Sequence, residues 1–268
     1  MFAYTRTHQR DGPNQFLQDF HGYLQADAYT GYDGLYLDPT RDIREVACWA
    51  HARRKFDEAR CQDPVRAAEA LAFIRRLYDV EDEALSLAAG DLDRLEAERL
   101  RLRQSTARPL LDQFHTWLVA QRAALLPKQK MMEAIQYVLN NWEAFVRYTE
   151  VGATAIDNNV AERTLRRVGL GRKNYLFFGA DSGGHTAALF YSLIATCDRH
   201  QVEPWRYLTD VFDRLAGLRE VLRQAERTND ASARDSLLEP LLPDVWKQSH
   251  PEAVVLDVHN LGRPHRRR

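Results

Sequence analysis

The sequence predicts an α/β fold in which a small layer of strands and helices is interrupted by a long helical block. Residues 1 to 56 alternate short apolar segments with turns, which is the rhythm of an α/β layer. From Phe56 to Tyr148 strand signals vanish and apolar residues recur at helical spacing instead. Beyond that block a glycine-rich loop precedes two further helices.

Taken in order, Phe2 to Thr7 reads as a strand, Gln15 to His21 as a helix, Tyr23 to Asp27 as a short buried strand and Val46 to Trp49 as another. Leu71, Ile74, Leu77, Tyr78 and Leu85 then recur at helical spacing, and Met131, Ile135, Val138, Leu139, Trp142, Phe145 and Val146 do so more strongly. Gly90-Asp91 and Pro127 punctuate the helices. Val160 to Val168 follows as a short helix, with Asn159 a suitable N-cap and Gly169 a natural stop. Tyr175 to Phe178 suits a strand or an extended loop, Thr186 to His200 a mostly buried helix, and Pro204 to Thr228 a longer helix opened by proline in its first turn. There is no internal repeat and no low-complexity tract.

Bulk properties narrow the class. The chain of 268 residues, 45% hydrophobic, has material for a core, and its net charge of −1 provides no global basic field. Any contact with nucleic acid must therefore come from local clusters: Arg53-Arg54-Lys55, Arg163 with Arg166 and Arg167, and Arg172-Lys173. Taken one at a time, such clusters also suit solvated helix faces. Cys48, Cys61 and Cys197 are too scattered for a disulfide framework, which fits a reducing cytoplasm. No apolar run approaches a membrane span, and the first residues lack the apolar region of a signal peptide, so no membrane partner is expected.

Two acids stand out. Glu162 sits on the first turn of a basic helix, where it suits either a metal ligand beside a phosphate backbone or a capping box with Asn159, with Arg166 as its i,i+4 partner. Asp27 falls at the C-terminal end of its strand, where open α/β sheets place ligand-binding groups; an Asx turn before Tyr29-Thr30-Gly31 is the other reading. Cys48-Trp49-Ala50-His51 has the spacing of half a zinc site. Zinc is disfavoured, because four ligands are normal and Cys61 is the one nearby candidate. A buried Cys48 with His51 bonded to a neighbour is the preferred reading. Gly179-Ala180-Asp181-Ser182-Gly183-Gly184-His185 lacks the lysine and spacing of a P-loop and reads as a flexible loop before a helix.

Four stretches together carry a resemblance: Leu24-Gln25-Ala26-Asp27-Ala28-Tyr29-Thr30-Gly31-Tyr32, Cys48-Trp49-Ala50-His51-Ala52-Arg53-Arg54-Lys55-Phe56, Asn158-Asn159-Val160-Ala161-Glu162-Arg163 and Gly171-Arg172-Lys173-Asn174-Tyr175-Leu176-Phe177. In this order they resemble the insertion-sequence-66 family of bacterial transposases, from the first residues to about Trp246. The resemblance implies a ribonuclease-H-like catalytic core with an Asp-Asp-Glu metal triad and an all-helical insertion before the Glu. Asp27 matches the second Asp and Glu162 the Glu, so the two would be catalytic and would hold Mg²⁺ or Mn²⁺. Arg53, Arg54, Arg163, Arg166, Arg167, Arg172 and Lys173 would contact DNA at the ends of the mobile element. Cys48 and His51 would anchor the helical insertion to the core.

The implied layout is a first, incomplete part of the core over 1–56, the insertion over 57–150, the rest of the core over 151–228 and a C-terminal segment with a basic tail over 229–268. The family's first triad Asp lies upstream of the segment that Met1 to Arg6 resembles, and neither Asp11, in a Gly-Pro turn, nor Asp19 matches it. The expectation is thus the C-terminal portion of a transposase, inactive alone, that needs the missing N-terminal part or other transposase subunits. The alternative is a catalytically inactive remnant that binds DNA or transposase subunits.

Overall fold

The computed structural model describes residues 1–6, 10–26 and 30–254. They belong to two units, one of residues 8–166 and one of residues 1–7 with 167–268. The architecture is predominantly helical, with one small parallel sheet.

The 8–166 unit opens with α1 (Asp11–Phe16), β1 (Gly22–Ala26), a 3-10 turn, α2 (Asp33–Tyr36) and β2 (Ile43–Ala47). The helix expected over Gln15 to His21 starts and ends earlier, because Asp11 and Pro13 suit a first helical turn. β1 and β2 pair in parallel from Gly22↔Ile43 to Ala26↔Ala47. A parallel pair requires a crossover, here the segment carrying α2, which buries Leu35. β2 lies earlier than the expected Val46 to Trp49. Ile43, Val46 and Ala47 supply its buried positions, and Trp49 already begins the next helix.

That helix is α3 (Trp49–Ala59), followed by α4 (Pro64–Ala88), α5 (Leu92–Leu102), a π-helical turn over Arg103–Ala107, α6 (Arg108–Ala123), α7 (Lys130–Asn140) and α8 (Trp142–Val146). Asp63 caps α4 by accepting the Arg66 N–H, with Pro64 in its first turn, and Asp91 caps α5 in the same way through Arg94. Val46, Trp49, Phe56, Ile74, Leu77, Phe114, Ile135, Phe145 and Tyr148 are fully buried and join β2 to α3, α4, α6, α7 and α8 in one apolar core. An ion pair sits inside that core. The guanidinium of Arg103, fully buried, donates to both carboxylate oxygens of Glu81 at 2.7 Å and to the carbonyls of Tyr148, Val151 and Thr154 at 2.9, 2.5 and 2.8 Å. It thereby saturates its donors and fixes the irregular segment leading from the helices to Glu162.

α9 (Asn159–Tyr175) begins in the 8–166 unit and continues into the other. It passes through the stop expected at Gly169 and through Gly171 as well: each glycine costs only about 1 kcal/mol in a helix interior, too little to end a helix that nothing else breaks. The helix ends where Leu176 takes a positive φ of 57° and Gly179 one of 77°, so the residues after Tyr175 form an irregular, bent loop rather than a strand. α10 (Asp181–Arg199), α11 (Pro204–Arg227), α12 (Ala231–Leu238) and α13 (Pro243–Trp246) complete the second unit. Its smaller core gathers Cys197, Val202, Tyr207, Val211, Leu241 and Trp246.

Two expectations fail in this unit. Residues 2–6 form no strand; the Phe2 N–H donates to Ser192 Oγ at 2.7 Å, and the Tyr4 ring packs against Phe178 and His185, so the segment's apolar side chains are spent on helix packing instead of a ladder. The glycine-rich stretch is not a loop either, since α10 begins at Asp181, five residues before Thr186. Asp181 accepts the Tyr4 hydroxyl at 2.9 Å and pairs with Arg6 at 2.6 Å, so the helix start carries its own carboxylate.

Candidate functional site

Cys48 lies at the C-terminal end of β2 in extended conformation, and His51 follows in the first turn of α3. The junction is pinned to the segment before α9. The Trp49 N–H donates to the Ile156 carbonyl at 3.3 Å, the Trp49 indole N–H to the Phe145 carbonyl at 3.0 Å, and the Asn158 N–H to Cys48 Sγ at 3.3 Å. Gln25 of β1 adds a bond from its side-chain amide to the Ala155 carbonyl at 2.9 Å. Gly152, in the same segment, lies so close to α5 that a Cβ there would collide with the Glu96 carbonyl.

The start of α9 is organised by Asp157. Its carboxylate accepts the Asn159 N–H at 3.1 Å, the Asn159 side-chain amide at 2.6 Å and the Tyr78 hydroxyl at 2.8 Å. Burial, then the bond to Asp157, pushes the Tyr78 phenol up. With Asp157 satisfying the helix start, Glu162 is not drawn into a capping box with Asn159. It turns toward α3, with Oε1 3.4 Å from His51 Nε2 and Oε2 3.9 Å from Arg54 Nη2. Cys48, His51 and Glu162 each present one ligand atom, and these atoms all lie within 4.8 Å of one another. Glu162 Oε1 and His51 Nδ1 are buried without a hydrogen-bond partner. Burial pushes the Cys48 thiol up, against the pull of the Asn158 N–H.

Beside this cluster α3 and α4 border a cleft of about 690 Å³, lined by Arg53, Arg54, Arg60 and Arg75 with Asn159. Asp57, Asp79 and Asp82 share its wall, so the arginines are not an unbroken positive strip. Arg163 and Arg166 are exposed on α9, with Arg163 Nε donating to the Asn159 carbonyl at 3.3 Å. In the other unit Arg167 pairs with Asp198, Lys173 is exposed, and Arg172 borders a cavity of about 380 Å³ with Tyr4, Phe177 and Phe178. Asp27 lies outside the described residues, one peptide beyond Ala26 of β1.

Sequence reasoning missed Arg60 and Arg75 as partners of Arg53 and Arg54, and it missed the meeting of Cys48 and His51 with Glu162. The helical periodicity of α3 and α4 carries the first signal, since Arg53 and Arg60 are seven residues apart on one helix face. The second has no local signal, because the pair and the acid are joined only through tertiary structure.

The profile described as Transposase IS66 family matches residues 1–186, and the chain belongs to that family. It is 33% identical to the uncharacterized protein y4hP of Sinorhizobium fredii over 91% of this chain and 43% of that protein. It is 30% identical to y4jD of the same organism over 86% of this chain and 42% of that protein, and 32% identical to y4qI over 75% and 37%. The chain thus spans about two fifths of the length of the curated relatives it matches. No solved structure matches it. Among the described residues no helix is long and apolar enough to cross a membrane.

Proposed function

We propose that this chain serves DNA transposition by contributing Asp27 and Glu162 to a metal-dependent site for DNA strand cleavage and transfer, with the remaining Asp of the triad coming from further polypeptide. In this reading residues 1–56 and 151–228 belong to a ribonuclease-H-like core, 57–150 to its helical insertion and 229–268 to a C-terminal segment. The observation that carries the reading is Glu162, held on the first turn of α9 beside an arginine-lined cleft and free of the cap that Asp157 provides. The register of the sheet supports it. Ala26 pairs with Ala47, whose neighbour Cys48 is bonded to the segment preceding Glu162, and Asp27 follows Ala26 directly in sequence.

Glu162 Oε2 and the Asp27 carboxylate are hard oxygen donors of the kind Mg²⁺ or Mn²⁺ takes, whereas Cys48 and His51 are not. When bound, a pair of such ions supplies an activated oxygen nucleophile and neutralises the leaving oxygen. The chain's residues do the positioning. Arg53, Arg54 and Arg75 would hold the phosphates of one strand against the acids, and exposed Arg163 and Arg166 would extend that hold along α9.

The test is Mg²⁺-dependent cleavage and joining of the element's ends by this chain in the presence of the polypeptide that supplies the first Asp. Glu162→Gln and Asp27→Asn should each lower the rate by about 10³-fold or more, the equivalent of roughly 4 kcal/mol of transition-state stabilisation. Cleavage by either variant at the parental rate removes that residue from the site. End binding without cleavage by the parental protein favours the inactive-remnant alternative.

A further inference from the structure

We propose that Cys48, His51 and Glu162 form a binding site for a borderline-soft divalent cation of the Zn²⁺ class, with three protein donors and a fourth position open. The donor set is a thiolate sulfur, an imidazole nitrogen and a carboxylate oxygen, all within 4.8 Å of one another. Donors on a tetrahedral zinc, with bonds of about 2.0–2.3 Å, stand roughly 3.3–3.6 Å apart. His51 Nε2 and Glu162 Oε1 are already 3.4 Å apart. They are not hydrogen-bonded across that gap, and Glu162 Oε1 is buried with no other partner. A cation between the two atoms removes the cost of leaving a buried carboxylate oxygen unsatisfied.

The backbone around the cluster is preorganised. Cys48 follows the last residue of β2 as the N-cap of α3, His51 and Glu162 each lie in the first turn of a helix, and the bonds from Asn158 to Cys48 Sγ and from Trp49 to Ile156 lock the two helix starts together. The Asn158 N–H at 3.3 Å from the sulfur also stabilises negative charge there. Binding converts the Cys48 thiol to a thiolate and releases its proton to solvent. The sequence alone disfavours zinc because the Cys-x-x-His pair lacks partners nearby; the fold supplies Glu162 from the other side.

This site is distinct in chemistry from the strand-transfer reading, since thiolate and imidazole are not Mg²⁺ donors. It engages Glu162 through Oε1 and leaves Oε2, on the Arg54 side, for a hard cation or solvent. The chain should be titrated with Co²⁺ as a spectroscopic substitute, then with Zn²⁺, in the presence of excess Mg²⁺. One equivalent of Co²⁺ should produce tetrahedral visible absorption with a thiolate charge-transfer band, which Zn²⁺ abolishes and Mg²⁺ does not.

Cys48→Ser should lose the charge-transfer band, while Cys61→Ser and Cys197→Ser should retain it. His51→Ala and Glu162→Gln should weaken Co²⁺ binding by at least about a hundredfold. No thiolate band in the parental chain, or a band that survives Cys48→Ser, overturns the proposal. Should Cys48→Ser not fold, His51→Ala decides: unchanged affinity in a variant with parental circular dichroism also overturns it. None of these readings depends on DNA cleavage, so the strand-transfer proposal stands or falls separately.

Discussion

Arg103 gathers three carbonyls and one carboxylate around a single guanidinium inside the core. Arg99 also approaches Glu81, at 3.1 Å, but from a partly exposed position. Removing Arg103 leaves Glu81 only the partial compensation of Arg99 and strips three carbonyls of their donor, so Arg103→Ala should destabilise the chain by about 3 kcal/mol or more, measured by urea unfolding. It should also free the segment that delivers Glu162, and hydrogen exchange at residues 148–158 should accelerate beyond what the global loss explains. Gly152→Ala belongs to the same segment. Its new methyl would meet the Glu96 backbone rather than a side-chain end that can swing aside, so it should destabilise by at least about 1–3 kcal/mol. Neither residue is legible in the sequence as important: Arg103 is one of three alternating arginines with Arg99 and Arg101, a pattern that suits a solvated helix face, and only the fold shows that it is enclosed.

α9 separates two readings that one substitution can tell apart. The sequence places a helix stop at Gly169, where glycine would adopt a left-handed conformation and alanine would be strained. The structure runs the helix on to Tyr175, with open space where a Gly169 side chain would be. Gly169→Ala should then stabilise by about 0.4–1 kcal/mol, read as a rise in urea midpoint; a drop in midpoint would restore the stop. The elements that periodicity does identify are the long ones. The apolar spacing of Ile74 and Leu77 and of Met131, Ile135 and Val138 marks α4 and α7, and Pro204 marks the start of α11. Short elements are shifted or absent because a few apolar residues do not say what they will pack against. Phe2 and Tyr4 read as a strand and instead lie on helix side chains. At the candidate site the sequence identifies Glu162 and the Cys48–His51 pair separately, while their meeting depends on the parallel register of β1 and β2 and on the Arg103-held segment, both long-range features.

At the scale of the whole molecule, the proposed DNA contact of a nearly neutral chain rests on local patches, and its affinity should fall steeply with salt. Replacing Arg53, Arg60 and Arg75 together with glutamine should weaken binding of duplex ends and reduce the slope of log affinity against log salt by roughly 0.9 for each phosphate that is no longer neutralised; an unchanged slope places the DNA elsewhere. Burial pushes the phenols of Tyr78, Tyr148 and Tyr207 above the ordinary 10.0. The folded chain therefore keeps protons that the unfolded chain releases above about pH 10, so stability is intact below that pH and falls as pH rises beyond it. Unfolding midpoints measured across that boundary check the sign.

Whether Glu162 and Asp27 hold a hard divalent cation, as proposed for strand transfer, is decided by anomalous scattering from Mn²⁺ in crystals of the chain assembled with the polypeptide that supplies the first Asp and with the element's end. A peak is expected at roughly 2.1 Å, the Mg²⁺–oxygen spacing, from a carboxylate oxygen of each residue. A Mn²⁺ ion held by other acids, with Glu162 facing only His51 and Arg54, would contradict the proposal.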